Sequence, residues 1–329
     1  MRAFTYERAA DVRGALAALA AGGEGARFIS GGTNLLDLMK LEIERPTHLV
    51  DISRLPLRDI EQLPDGGLRI GAQAANSDTA AHAVVRARYP VLSEALVAGA
   101  SGQLRNKASI GGNVLQRTRC PYFYDTPSPC NKREPGSGCS AIEGLNSGHA
   151  ILGTSDHCVA THPSDLAVAL VALDALLRVR GPRGERTFPV ENLYRLPGDT
   201  PHLEHTLEAG ELIVEVRVPH GDYSRRARYL KVRDRASYEF ALVSTAAALQ
   251  IENGVIRAAR LAAGGVGTRP WRLRGCENAL VGKPPRRDVF ETAAHLALDG
   301  ARLLSGNRYK LDLLPRTIVR ALEMAGDVA

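Results

Sequence analysis

Two glycine loops constrain this chain more than any other feature. The first, Phe28-Ile29-Ser30-Gly31-Gly32-Thr33-Asn34, leads from a short apolar strand over Ala26 to Ser30 into a helix over Leu35 to Leu41. The second is Ala108-Ser109-Ile110-Gly111-Gly112-Asn113. Paired glycines let successive backbone N–H groups turn into one concavity, an anion nest, and Ser, Thr and Asn add neutral donors. A helix start beyond the loop adds a favourable dipole for phosphate oxygens. Neither loop is the GxGxxG of a Rossmann unit, and neither is a P-loop. A tight turn accounts for one such loop alone. Two in separate units point to one ligand held between them.

The surrounding pattern is that of two α/β units followed by a sheet with helices. Residues 1 to 55 read as strand, helix, strand, loop, helix, strand, with the last strand over Thr47 to Ile52. Val12, Ala15, Leu16 and Leu19 fall at helical spacing behind Glu7 and Asp11, so the Ala-rich stretch reads as an amphipathic surface helix and not a leader. Leu68 to Ala75 is strand-like and Val91 to Gly99 helical. A helix is expected from Leu166 to Leu177, N-capped by Ser164. Leu212 to Val218 alternates Leu212, Val214, Val216 and Val218 with Ile213, Glu215 and Arg217. His220 to Arg226 reads as a linker. Strands are then expected over Tyr229 to Val232, Phe240 to Ile251 and Ile256 to Ala263, and helices over about Asp288 to Leu304 and Leu313 to Ala325. No apolar run reaches the roughly 18 residues of a spanning helix, so no membrane insertion is expected. A net charge of +6 on 329 residues, with no basic arm, gives no reason to expect nucleic acid.

The segment from Arg117 to Thr161 stands apart. It is rich in Gly, Pro, Ser and Asn and holds four of the five cysteines: Cys120, Cys130, Cys139 and Cys158. Closely spaced C-x2-4-C pairs of zinc knuckles and the short C-x2-C steps of ferredoxins are absent. Spacing leaves three alternatives: a metal or cluster site, disulfides, or unrelated thiols. Cys276 stands alone and reads as a buried or idle thiol.

Several strings carry a resemblance. FISGGTNLLDLMK (Phe28 to Lys40), ASGQLRNKAS (Ala100 to Ser109), ASIGGN (Ala108 to Asn113), QRTRCPYFYDT (Gln116 to Thr126), PSDLAVALVAL (Pro163 to Leu173) and KVRDRASYEFALVS (Lys231 to Ser244) resemble the FAD-binding module of the xanthine dehydrogenase and molybdenum hydroxylase family. The likeness covers nearly the whole chain and is closest to the separate FAD-binding subunit of the periplasmic aldehyde oxidoreductase type. It implies an α+β fold: a FAD-binding domain of the vanillyl-alcohol oxidase (PCMH) type with two α/β subdomains, and a C-terminal antiparallel sheet with helices like that of CO dehydrogenase flavoproteins. The implied domains are residues 1–58, 59–221 with an iron–sulfur insertion at 117–161, and 222–329.

The resemblance also implies a site. Ile29, Ser30, Gly31, Gly32, Thr33, Asn34 and Leu35 would wrap the FAD pyrophosphate, and Ser109, Gly112 and Asn113 would close over it. Asp165 would accept a hydrogen bond from a ribose or ribityl hydroxyl, since a carboxylate beside pyrophosphate is repulsive. Lys231, one of a basic run with Arg225, Arg226, Arg228, Arg233 and Arg235, would lie near the isoalloxazine and favour reduced flavin. Tyr238 would pack on the flavin or simply in the core. Cys120, Cys130, Cys139 and Cys158 would ligate a [4Fe-4S] cluster, as in a subset of the family. Lys132 and Arg133 would favour its reduced form, the commoner alternative being a solvated charge pair. No residue of the chain has the look of a catalytic base or nucleophile. Substrate chemistry, aldehyde plus water to carboxylic acid, would belong to a large molybdopterin-cytosine-dinucleotide subunit, with a small subunit carrying two [2Fe-2S] clusters completing a heterotrimer. The rivals are a hydroxybenzoyl-CoA reductase-like or xanthine dehydrogenase-like complex, a stand-alone FAD oxidase, and a zinc or interaction module. The chain shows no export signal of its own, so cytoplasmic assembly is expected, with export to the periplasm on a twin-arginine-bearing partner.

Overall fold

The computed structural model describes residues 1–221 and 226–328. Three sheets follow one another along the chain. In the first, strands Thr5–Arg8 and Ala26–Ile29 flank His48–Asp51, all parallel. Helix Val12–Gly22 starts where the Asp11 carboxylate accepts from Gly14 N at 2.7 Å, and it buries Ala15 and Ala18. Helix Leu35–Lys40 follows the first glycine loop. The order of elements expected from periodicity therefore holds in this unit.

The second sheet is antiparallel, in the spatial order Ile60–Gln62, Leu68–Gly71, Leu212–Val218, Leu176–Gly181, Gly184–Pro189. Helices Pro90–Ala98 and Asp165–Ala172 pack in its core. Ser164 caps the latter as expected, accepting from Ala167 N at 3.0 Å. That helix does not run on to Leu177. It stops at Ala172, Asp174 turns the chain at φ +54°, and Leu176–Gly181 is a strand. The apolar run continues through the turn, so periodicity alone conceals the stop; Asp is one of the few residues that tolerate the left-handed region. The strand expected over Leu68 to Ala75 likewise ends at Gly71.

Leu212–Val218 departs from simple alternation. Leu212 and Val214 are buried in the first unit's core, whereas Ile213, Val216 and Val218 are buried in the second's. A register shift against Arg178 and Val179 changes the strand's face midway.

The third sheet orders Trp271–Arg272, Val255–Gly264, Val243–Glu252 and Ala227–Val232, again antiparallel, under helices Arg274–Leu280, Arg287–His295 and Lys310–Gly326. Helix Arg274–Leu280 has no counterpart in the sequence expectation, and Cys276 on it is buried. The helix expected to reach Leu304 ends at His295 and passes into a 3-10 turn at Leu296–Leu298. Arg225 and most of the expected linker lie outside the described residues. Among the described residues no helix is long and apolar enough to cross a membrane.

Asp51, buried at the end of the central parallel strand, ties the first unit together. Desolvation pushes its carboxyl up, but hydrogen bonds from Tyr6, Ser53 and Arg8 outweigh it and hold the pKa at about 2. A folded-state pKa below the unfolded one gives stability that is present above the unfolded value and lost as pH falls through the folded one. Asp51→Asn should therefore destabilise the protein by about 2 kcal/mol at neutral pH. The gap to the parent should close between about pH 4 and pH 2, as read by urea unfolding at each pH. A gap independent of pH would contradict this account.

Candidate functional site

The two glycine loops meet backbone to backbone. A Cβ at Gly31 would collide with the Lys107 carbonyl just before the second loop, and Gly32 sits at φ +74°. Both positions need glycine, one for close approach and one for conformation. Among the described residues, the N–H groups of Gly31 to Asn34 find no backbone acceptor. The polar side chains around them are braced from behind. Ser30 donates to Gln73 Oε1 at 2.6 Å, and Asn34 Oδ1 accepts from Arg117 N at 2.9 Å. Ser109 Oγ accepts from Gly112 N at 3.2 Å, and Asn113 Oδ1 accepts from Ser164 Oγ at 2.6 Å. Asn34 Nδ2 is buried beside the Tyr124 hydroxyl without a well-formed hydrogen bond.

Two cavities of about 280 Å³ each adjoin at Thr33, Asn34 and Gly112. The first is lined by Ile29 to Leu35 and Ser109, the second by Asn113, Asp165 and Lys231. All twelve residues expected to hold FAD thus line one elongated cleft with free backbone donors at its waist. A long ligand with an anionic middle fits this cradle, and FAD has that form.

The second cavity contains a buried polar knot. Asp165 Oδ1 accepts from the Tyr229 hydroxyl at 2.6 Å and Oδ2 from Lys231 Nζ at 2.8 Å; Lys231 also donates to Ala98 O at 3.2 Å. Asp165 is therefore already doubly bonded, and a ligand hydroxyl must use its remaining lone pairs. Burial, and then the Asp165 charge, push the Tyr229 phenol well above its ordinary value, so it stays a donor. Tyr229 was not among the expected site residues. Its signal was available: in a strand, residues two apart share a face, which sets Tyr229 beside Lys231. Tyr238 also lines this cavity but is 55% exposed, so it is not core packing.

Arg119 joins the cleft to the cysteines. It lines the second cavity, donates to the Tyr124 hydroxyl at 2.8 Å and lies 5.4 Å from the Phe240 ring centroid. The next residue is Cys120. Cys120, Cys130, Cys139 and Cys158 line one small cavity, and all five cysteines are free thiols. Cys130 and Cys139 face each other across an isolated antiparallel bridge, closed by Asn131 N to Gly138 O at 2.7 Å. Among the described residues, no three His, Cys, Asp or Glu side chains converge tightly enough to hold a single metal ion. A tetrahedral zinc centre needs its ligands drawn around one ion, which this arrangement does not show.

Burial pushes the Cys120 thiol up to about 12, against the backbone N–H groups of Phe123 and Tyr122, which favour the thiolate. His149 Nε2 lies 3.1 Å from Cys120 Sγ, yet burial and then the Lys310 ammonium lower its pKa to about 4. A thiol raised beside an imidazole lowered is the reverse of an activated Cys–His nucleophile. The charged pair Lys132 and Arg133 is half-buried and engaged by protein partners. Lys132 donates to Pro201 O at 3.1 Å and pairs with Glu204 at 3.3 Å. Arg133 gathers the carbonyls of Tyr122, Phe123, Thr126 and Ser128 and so shapes the segment after Cys120.

Fold and cleft together define a flavin-binding subunit with a separate C-terminal sheet domain. The match to known families agrees: residues 2–221 match the FAD binding domain in molybdopterin dehydrogenase, and residues 228–325 match the CO dehydrogenase flavoprotein C-terminal domain. The chain is 51% identical over 328 residues to the aldehyde oxidoreductase FAD-binding subunit PaoB of Escherichia coli (strain K12), covering 99% of each. It is 27% identical to the carbon monoxide dehydrogenase medium chain of Hydrogenophaga pseudoflava, covering 98% of this chain and 96% of that one. A solved carbon monoxide dehydrogenase from the same organism, lacking the Mo-pyranopterin moiety of its cofactor, superposes with a TM-score of 0.78 over 100% of this chain and 99% of that one, at 26% identity. The chain belongs to the FAD-binding subunits of the molybdenum hydroxylases, a family of oxidoreductases.

Gly31→Ala tests the cleft directly. The added methyl would push the two loops apart, a shift costing about 1–3 kcal/mol. FAD affinity should fall by about tenfold or more, measured as flavin retained per protein after gel filtration, with the circular dichroism spectrum unchanged. Full flavin retention would show that the loops do not form the cradle.

Proposed function

We propose that this chain is the FAD- and [4Fe-4S]-containing electron-transfer subunit of a molybdenum-dependent aldehyde oxidoreductase. The observation that carries the reading is the placement of four free cysteines around one small cavity, a single residue from the cleft through Arg119 and Cys120. The aldehyde class rests on the relative of 51% identity named for that activity. Aldehyde and water would become carboxylic acid on a large molybdopterin-cytosine-dinucleotide subunit, and a small subunit with two [2Fe-2S] clusters would complete a heterotrimer. Cytoplasmic assembly followed by export to the periplasm with a signal-bearing partner belongs to the same reading.

When bound, FAD supplies the exchange between one- and two-electron steps. The chain's own residues then have distinct tasks. Ile29 to Leu35, Ser109, Gly112 and Asn113 bind the pyrophosphate through backbone and hydroxyl donors. Asp165 orients a sugar or ribityl hydroxyl, held in place by Tyr229. Lys231 faces the cleft beside Asp165, whose carboxylate takes much of its field. Cys120, Cys130, Cys139 and Cys158 would supply four thiolates to the cluster, each losing its thiol proton on ligation. Residues 1–58 and 59–221 are the two halves of the flavin clasp on this reading, 117–161 the cluster loop, and 222–329 the domain that closes both sites.

Anaerobic purification of the complex, with iron, sulfide and flavin quantitation and a visible spectrum, tests the proposal. Flavin without iron would remove the cluster, and absence of both would remove the whole reading. In the same preparation Cys130→Ser should lose the broad cluster absorbance and retain FAD. Full iron content in that variant would strike Cys130 from the ligands.

A further inference from the structure

We infer that His149 is a positioning residue for the cysteine centre, donating an N–H hydrogen bond from Nε2 to the Cys120 sulfur and thereby raising the reduction potential of the cluster bound there. The inference rests on the four-cysteine cluster reading and assigns a role to a residue outside the ligand set. Nε2 lies 3.1 Å from Cys120 Sγ, within hydrogen-bond reach of sulfur, and His149 is 3% exposed. A ligated cysteine carries no proton. At this distance two lone pairs would repel, so the contact is favourable only with the hydrogen on Nε2. Nδ1 is buried near the Asn146 carbonyl, a competing acceptor for that hydrogen, but makes no well-formed bond with it.

The rest of the structure holds this ring in place. Lys310 Nζ donates to the carbonyls of His149, Gly148 and Gly265 at 2.9, 3.2 and 2.6 Å. Asn307 Nδ2 donates to Ala150 O at 3.1 Å, and the Tyr122 ring lies 6.3 Å from the imidazole, centroid to centroid. A side chain held by its backbone on one side and an aromatic ring on another has little freedom to leave the sulfur. Hydrogen bonds to cluster sulfurs stabilise the more negative, reduced state and so raise the potential.

The test is a redox titration of the cluster, followed by electron paramagnetic resonance, in the anaerobically isolated complex carrying His149→Phe or His149→Gln. Phenylalanine keeps the bulk and removes the donor; glutamine keeps an N–H. In H149F the reduced-to-oxidised ratio at a fixed potential should fall about tenfold, equivalent to about 59 mV for one electron, and H149Q should recover most of it. Loss of iron from H149F but not H149Q would support the same donor role. An iron-loaded H149F with an unchanged potential, or equal shifts or equal iron loss in both variants, would overturn the inference. Absence of iron from the parent complex would instead remove the cluster reading beneath it.

Discussion

One strand holds two hydrophobic cores in register. Leu212–Val218 gives Leu212 and Val214 to the parallel unit and Ile213, Val216 and Val218 to the antiparallel one. Each such side chain contributes about 1.5–3 kcal/mol when fully buried, so neither unit can slide along the other without exposing residues of the same strand. The distance between the two glycine loops is set by this shared element, and so is the width of the cleft. Leu212 and Ile213 themselves line its first cavity, which makes the brace part of the wall.

A half-buried ion network continues the same work towards the cysteines. Arg117 pairs with Glu44 at 2.6 Å and Glu204 at 2.8 Å, and its backbone N–H holds Asn34. Although burial opposes it, Lys132 and Arg117 keep the Glu204 carboxyl below its ordinary range. Removing one partner of such a network leaves an uncompensated charge in a half-buried place, which costs more than the network contributes to net stability. The first glycine loop and the cysteine loop therefore share one electrostatic anchor.

Local patterns made much of this legible. The parallel unit was readable because its strands and helices are short, regular and bounded by Gly31-Gly32. The glycine loops were readable because their chemistry is local, and the cysteines because they are crowded in a chain otherwise poor in them. What escaped is non-local. Asp174 ends a helix inside an unbroken apolar run, so only the fold reveals the stop. Lys132 and Arg133 look like surface charges until Glu204, some seventy positions later, and the carbonyls after Cys120 claim them. His149 has no motif around it; it matters because the loop folds it onto a cysteine 29 positions away. Even Leu212–Val218, correctly read as a strand, hides its double service behind a change of face that alternation does not encode.

The contacts of Lys310 and Asn307 with residues 148 to 150 bear on the order in which the protein comes into being. With Ser305 and Gly306 bonded to Asn146, and Tyr309 to Ser147, the loop that carries the cysteines is sealed by residues near the end of the chain. During synthesis all four cysteines emerge from the ribosome well before the segment that closes over them. The loop is thus made early and fixed late, and for that interval its thiols lie open to the solvent.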